Sequence, residues 1–229
     1  MKILKVLFMV ISFLIIFPFF SENSLNIYPK IEGTHHDFTI NPHMNEDNLC
    51  RVCHTPHHAN TDVINSPLWN HALTSASYQI YTSPTIDATI GQPSGTSKLC
   101  LSCHDGTVAY DSYGGNTGSK YLSWDWQMGH IGTDLRFEHP ISFSYTTALA
   151  NADGKLEDPS TASSGLGGTI AEDLLENDRM ECSTCHDVHV SRKTVSGCNG
   201  CHRVPGREPS LSIRIPNDNS ALCLTCHKK

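Results

Sequence analysis

The chain has 229 residues, with 10 Cys, 14 His and only 17% charged residues, whereas soluble proteins average about 25%. This length predicts one domain or two small ones, and the formal charge of −7 argues against a nucleic-acid-binding protein, because such proteins need basic patches. Five of the eight Phe lie in the first twenty residues, so the remainder is poor in large apolar side chains and needs another source of cohesion.

The N-terminus has the layout of an export signal. Lys2 and Lys5 precede an apolar run over residues 6–20 that only Ser12 and Pro18 interrupt. Residues 1–24 are therefore predicted to be a signal peptide, and the protein to be exported to the periplasm, the cell surface or the extracellular space. The cleavage site is weakly marked, which leaves an uncleaved anchor open as the alternative. No later segment has the length and apolar character that predict a membrane span.

All ten cysteines fall into five C-x-x-C pairs, and each pair is followed directly by His. The motifs occupy residues 50–54, 100–104, 182–186, 198–202 and 223–227. This is the attachment signature of c-type haem: the two thiols form thioethers to the two vinyl groups of one porphyrin, and the adjacent imidazole ligates the iron. The predicted thioether residues are Cys50, Cys53, Cys100, Cys103, Cys182, Cys185, Cys198, Cys201, Cys223 and Cys226. The predicted proximal ligands are His54, His104, His186, His202 and His227.

Three other interpretations of the cysteines fit the sequence less well. Export makes disulfides the default, but the regular spacing and the His after every pair overrule it. Zinc ribbons use two C-x-x-C pairs per site, so five pairs leave one unused. A thioredoxin-like redox motif occurs once, in an α/β sequence context. We therefore predict five covalently bound haem c groups, with iron as the metal.

Nine further histidines are available for the second axial position of the five irons. After the signal only Met44, Met128 and Met180 remain, too few for Met ligation of five haems, so bis-histidine ligation is predicted at most or all sites. The distal candidates are His36, His57, His71, His139 and His189. His57 and His189 lie three residues beyond a proximal His, so each is expected to ligate a neighbouring haem. The other four, His35, His43, His58 and His130, are expected to be surface or hydrogen-bonding residues.

Residues 25–229 are predicted to form one pentahaem domain, with haems 1 and 2 in 25–145, a loop-rich stretch at 146–178 and haems 3 to 5 in 179–229. Short helices are predicted at each motif, with N-caps at Ser97 and at Asn219 or Ser220, and also at 68–72 and 170–176. Strand patterns of period two are nearly absent. The predicted fold class is mostly irregular with short α-helices and little or no β-sheet, a multihaem cytochrome c fold organised around a chain of closely packed haems.

The chain resembles the multihaem c-type cytochromes with paired C-x-x-C-H motifs that occur in metal-reducing and other anaerobic bacteria. The resemblance rests on residues 34–38 (THHDF), 50–59 (CRVCHTPHHA), 67–71 (PLWNH), 97–107 (SKLCLSCHDGT), 132–135 (GTDL), 138–143 (EHPISF) and 222–228 (LCLTCHK). It implies that the His of the His-Asp-Phe, Cys-His-x-x-His, Trp-Asn-His and His-Pro segments are distal ligands. It also implies electron transfer in anaerobic respiration, with a quinol-linked donor, other cytochromes and a terminal acceptor as redox partners.

Two alternatives to a free electron carrier stay open at this point. A multihaem nitrite or hydroxylamine-type reductase needs a five-coordinate haem, which such families often mark with C-x-x-C-K. All five motifs here end in His, so no enzymatic activity is predicted. Some cytochromes of the resembled group polymerise into extracellular filaments in which one subunit donates a histidine to a haem of the next. Self-association into a filament or oligomer is therefore the second alternative.

Overall fold

The computed structural model describes residues 31–122, 129–190 and 212–228. The predicted signal at 1–24 and the motif with Cys198, Cys201 and His202 lie outside these residues. Five short α-helices and two strands are present in them: α1 Gly95–His104, β1 Phe143–Ser144, α2 Thr147–Asp153, α3 Ile170–Asp173, β2 Arg179–Met180, α4 Cys182–Cys185 and α5 Ala221–Cys226. Two 3-10 helices lie at Phe38–Ile40 and Asp218–Ser220. The prediction of a mostly irregular chain with short helices and little sheet is confirmed for the described part. No helix in these ranges has the length and hydropathy needed to cross a membrane.

The main apolar cluster forms around the stretch at 146–178 that the sequence predicts to be loop-rich, with members from both sides of it. Strands β1 and β2 pair antiparallel, with Phe143 opposite Met180, and their side chains meet those of α2 and α3. The buried members are Phe143, Tyr145, Ala150, Ile170, Leu174, Met180 and Ile215. A smaller cluster joins Tyr78, Leu101 and Leu135. A polypeptide core therefore exists, although it is small, and Met180 belongs to it.

Helix α2 was not predicted, although both of its ends carry ordinary signals. The Thr146 side chain caps the first turn by accepting a hydrogen bond from the Leu149 N–H, and Gly154 ends the helix in the left-handed conformation at φ 73°. Helix α3 begins where the sequence predicts it. Thr169 and Glu172 form a reciprocal capping box there, and the helix ends at Asp173 after one turn.

Three of the four described C-x-x-C-H motifs are helical, as predicted. Helices α1, α4 and α5 each contain both cysteines of a motif and end at or just before its histidine. At the first motif the predicted helix is wrong, because residues 50–54 form only a hydrogen-bonded turn in which the His54 N–H donates to the Cys50 carbonyl (2.8 Å).

The predicted N-caps are corrected in part. Ser97 is not a cap: helix α1 begins after Ser94, and the buried Ser97 hydroxyl accepts a hydrogen bond from the Cys182 N–H (2.9 Å). Its side chain therefore joins α1 to α4, which pack against each other. Ser220 is the N-cap of α5, but its side chain makes no capping bond. The Asn217 side chain accepts from the Leu222 N–H instead (3.1 Å).

The helix predicted over 68–72 is also wrong. The backbone of this segment pairs with the first motif rather than with itself: the Asn70 N–H donates to the Cys53 carbonyl (2.9 Å), and Leu68 and Trp69 accept hydrogen bonds from Thr55 (2.9 Å) and Asn60 (2.7 Å). Because these carbonyls and amides are used by the neighbouring loop, they are not available for i to i−4 bonds. The segment consequently lies as an irregular ribbon along the first motif.

Candidate functional site: paired histidines at the C-x-x-C-H motifs

Three pairs of histidine rings are the main feature of the predicted site residues. The ring centroids lie 5.8 Å apart for His36 and His104, 6.1 Å apart for His54 and His189, and 6.3 Å apart for His139 and His227. Each pair joins one predicted distal candidate to the histidine of a C-x-x-C-H motif. His189 follows the motif at 182–186 yet meets the histidine of the motif at 50–54, so the pair crosses between motifs.

Four of the six paired imidazoles, and that of His71, share the same kind of contact at Nδ1. In five histidines Nδ1 lies within hydrogen-bond distance of a carbonyl or carboxylate oxygen. The contacts are His54 to Pro67 (2.5 Å), His71 to Ala72 (2.7 Å), His104 to Gly129 (2.6 Å), His139 to Pro140 (2.8 Å) and His189 to the Asp187 carboxylate (3.0 Å). A neutral imidazole that donates from Nδ1 keeps a lone pair on Nε2, which is the tautomer that a metal ligand needs.

The His36–His104 pair is the most buried of the three. His104 lies at the end of α1, and its carbonyl accepts the Ile131 N–H (2.7 Å), which fixes the end of the helix. Opposite it, the Thr34 hydroxyl accepts the His36 N–H (3.2 Å) in a tight turn. Burial, followed by the proximity of His104, lowers the pKa of His36 to about 3, and burial also lowers the pKa of His104. Both rings are therefore neutral at physiological pH.

The other two distal candidates are placed differently. His71 is 1% exposed, with Nε2 3.0 Å from the Ala109 carbonyl and 3.5 Å from the Cys103 sulfur. A neutral ring has one N–H, so it can donate to only one of the two carbonyls at its edges. His57 is exposed and makes no ring contact within the described residues. The structure thus brings His36, His139 and His189 to motif histidines.

His130 lies closer to a motif than the sequence suggests. Its proximity adds to the effect of burial in lowering the pKa of His104, and a side chain added at Gly106 would clash with its Nε2. Gly129 supplies the carbonyl for His104 Nδ1, so the segment around residue 130 wraps the second motif. The sequence signal that could have indicated this is the pair of glycines at 129 and 132, which lie on either side of His130 and Ile131. His35, His43 and His58 are exposed, as the sequence leads one to expect.

The eight described cysteines are free thiols with no disulfide among them. Burial raises the pKa of Cys53 and of Cys226 to about 11 and that of Cys185 to about 12. These thiols are therefore protonated at neutral pH in the unmodified chain. The first cysteines of the motifs at 50–54 and 223–227 are exposed, while their second cysteines are more buried.

The four described motifs lie close to one another. Cys53 is within electrostatic range of the thiols of the second motif, at Cys100 and Cys103. The Cys100 thiol is in turn hydrogen-bonded to Cys182, which raises the pKa of Cys100 and lowers that of Cys182. Cys185 then lies within electrostatic range of both cysteines of the last motif. The His54–His189 pair also brings the segment after the third motif to the first motif, so the four motifs form one group of neighbours.

The arrangement differs from that of a metal site built from side chains alone. Within the described ranges, no group of three or more His, Cys, Asp or Glu side chains is arranged to hold a metal ion. Paired imidazoles suit a metal whose remaining ligands come from a macrocycle, since haem iron needs only two axial ligands from protein. No protein-family model matches the chain, and no curated protein is significantly similar to it in sequence.

Proposed function

We propose that the protein is a pentahaem c-type cytochrome that transfers electrons through bis-histidine-ligated haems. The observation that carries the proposal is the spacing of the three histidine pairs. Two iron–imidazole bonds of about 2 Å, extended to the ring centres, place the centroids about 6 Å apart. The measured separations of 5.8, 6.1 and 6.3 Å agree with this value, and each pair contains one C-x-x-C-H histidine.

The surroundings of the pairs also fit haem. In four of the six paired rings the Nδ1 hydrogen bond leaves Nε2 as the ligand atom and holds the ring in place, as the outer partners of ligand histidines do. The indole N–H of Trp69 is buried and has no hydrogen-bond partner in the described part of the chain, and its backbone bridges to His54. A haem carboxylate near the first motif is an acceptor that would satisfy this donor.

When bound, each haem would supply a one-electron Fe(III)/Fe(II) couple. The motif at 50–54 lies near that at 100–104, which contacts that at 182–186, which in turn lies near that at 223–227, and this closeness would favour transfer from haem to haem. Two axial histidines leave no open coordination position for a substrate, and this favours an electron carrier over a reductase. His57 and His71 remain as the distal candidates for the haems of His186 and His202.

The location and partners follow from the same proposal. An exported chain with covalent haems would act in the periplasm or outside the cell, between a quinol-linked donor and a terminal acceptor or another cytochrome. The exposed His57 also leaves room for ligation across a subunit contact, so self-association is retained as an outcome of the experiment below.

The test is to produce the full chain in a host that attaches c-type haem and to record intact mass and low-temperature EPR of the oxidised protein. We expect the mass of five haems and low-spin ferric signals only. A stoichiometric high-spin component would indicate a five-coordinate haem and would favour a reductase over an electron carrier. A chain without covalent haem would overturn the proposal. Sedimentation of the same sample distinguishes a monomeric carrier from a filament or oligomer.

A further inference from the structure

Helices α1 and α4 are joined near their starts by polar contacts that use no cysteine or histidine side chain. The hydroxyl of Ser97, which is 0% exposed, accepts the Cys182 N–H (2.9 Å). One residue earlier, the half-buried Thr96 shares a hydrogen bond between its hydroxyl and that of Ser183 (2.6 Å). These bonds connect residues 85 and 87 positions apart, so they fix one helix against the other. Since α1 carries the second motif and α4 the third, the bonds join two motifs.

A second group of contacts links the N-caps of the two helices. Glu181, the N-cap of α4, is 1% exposed, accepts the Ser142 hydroxyl (2.8 Å) and pairs with Arg179 (3.1 Å). Arg179 also donates to the hydroxyl of Ser94 (3.1 Å), which is the N-cap of α1. A Cβ added at Gly95 would lie 3.1 Å from the Glu181 carboxylate, so the two helix starts are in direct contact. The joint between α1 and α4 is therefore held by two independent groups of hydrogen bonds.

The same joint brings together the first cysteines of the second and third motifs. The Cys100 and Cys182 thiols are hydrogen-bonded to each other. In the proposed function each sulfur would hold one edge of its own haem, so two haem edges would be anchored at this contact. Attached groups keep a defined geometry only where the elements that carry them are locked by supporting side chains. The Ser97 and Thr96 bonds supply such support one turn before Cys100.

We propose that Ser97 and Thr96 are positioning residues that fix the haem of the second motif against the haem of the third and so set the electronic coupling between them. The inference rests on the proposed function. In the step that they would support, one electron passes from the ferrous haem of one motif to the ferric haem of the other. The first iron is oxidised, the second is reduced, and no covalent bond forms or breaks. Neither side chain touches a reacting atom.

Helix α1 contains a matched control for Ser97. Ser102 is also 0% exposed, and its hydroxyl also accepts a backbone N–H from a distant segment, that of Thr74 (3.0 Å). The partner of Ser102 does not belong to α4. Ser102→Ala and Ser97→Ala thus remove the same kind of buried hydrogen bond from the same helix. Only Ser97→Ala loosens the contact with the third motif, so the comparison separates positioning from general stabilisation.

The experiment measures Soret circular dichroism of the oxidised full chain after intact mass has shown five haems. Neighbouring haems couple their Soret transitions and give two bands of opposite sign, whose amplitude depends on the distance and angle between the haems. We expect the double variant Ser97→Ala, Thr96→Val to lose part of this amplitude. Ser102→Ala should keep the amplitude of the unmodified protein. Thr96→Ser should keep it as well, because it retains the hydroxyl that meets Ser183.

Two results would overturn the inference while the proposed function stands. One is an unchanged amplitude in the double variant, and the other is an equal loss in Ser102→Ala. If the double variant does not fold, Thr96→Val and Thr96→Ser decide instead: a loss in the valine variant alone supports the inference, and equal amplitudes overturn it. Failure of the proposed function would appear separately, as missing haem in the intact mass of the unmodified chain.

Discussion

Replacing His36 with Ala tests the pairing on which the proposed ligation depends. The His36 and His104 rings are 5.8 Å apart, and the bonds that shape the turn around residue 36 come from Thr34 and Asp37 rather than from the imidazole. The variant should therefore fold and attach its haems, but one of five irons should lose its distal ligand. We expect a fifth of the ferric iron to become high-spin, and added imidazole to restore the low-spin state. Low-temperature EPR with quantified spin measures both changes.

The neighbouring His35 provides a matched control, because it is exposed and one residue away. His35→Ala should leave every haem low-spin. His130→Ala is the second control, since His130 also lies near His104. Suppose that one fifth of the ferric iron became high-spin in His130→Ala and none did in His36→Ala. The assignment of His36 as the partner of His104 would then be refuted, and the inference of paired ligands from ring spacing would fail with it.

Three further predictions concern stability, measured by denaturant unfolding of the purified protein. Ile170→Ala should lower the free energy of unfolding by about 2–5 kcal/mol, because the side chain is 0% exposed in the main core. Gly106→Ala should cost about 1–3 kcal/mol, because residue 106 has φ +73° and the new Cβ would clash with the His130 ring. Glu46→Gln should destabilise at neutral pH and less in acid: burial raises the pKa of Glu46, but hydrogen bonds from Tyr113 and Arg51 outweigh it and lower the pKa below 4.5. The carboxylate's contribution is thus present above pH 4.5 and is lost as pH falls through the folded pKa.

Each stability prediction has a control in the chain. Ile170→Val should cost no more than about 1.5 kcal/mol, since it leaves a smaller cavity. Gly115→Ala shares the positive φ (+79°) but meets nothing within 4 Å, so a cost equal to that of Gly106→Ala would contradict the His130 contact. Asp47→Asn removes the exposed partner of Arg51, and a loss as large as that of Glu46→Gln would contradict the role of burial.

What could be predicted from the sequence was local chemistry. The proposed haem attachment is local in this sense, because it would need two thiols and one imidazole within five consecutive residues. The start of α3 was visible for the same reason, because Thr169 and Glu172 form a capping box across three residues. Helix α2 also has local signals, since Thr146 and Gly154 mark its two ends. They were missed because the surrounding stretch is rich in turn residues, which favoured a prediction of loops.

What could not be predicted depended on partners distant in the chain. Ser97 looked like a cap because it precedes a helix, but its hydroxyl is used by the Cys182 amide 85 residues away. Trp69 and Asn70 looked helical after Pro67, but their backbone pairs with the first motif. The pairing of His54 with His189 rather than with His57 also depends on distant parts of the chain. Nothing in the sequence around His189 or His57 specifies which motif histidine either ring will face.

The His54–His189 contact has a consequence for the order in which the molecule can be completed. The two rings are separated by more than half of the chain, whereas His36 precedes His104 and both belong to the first half. If the chain is exported N-terminus first, as we propose, both residues of the second motif's pair would emerge early. The first motif would wait for residue 189 to arrive. Maturation of the protein would therefore follow an order different from that of the motifs, and a chain truncated before residue 189 should complete its second site while leaving its first unfinished.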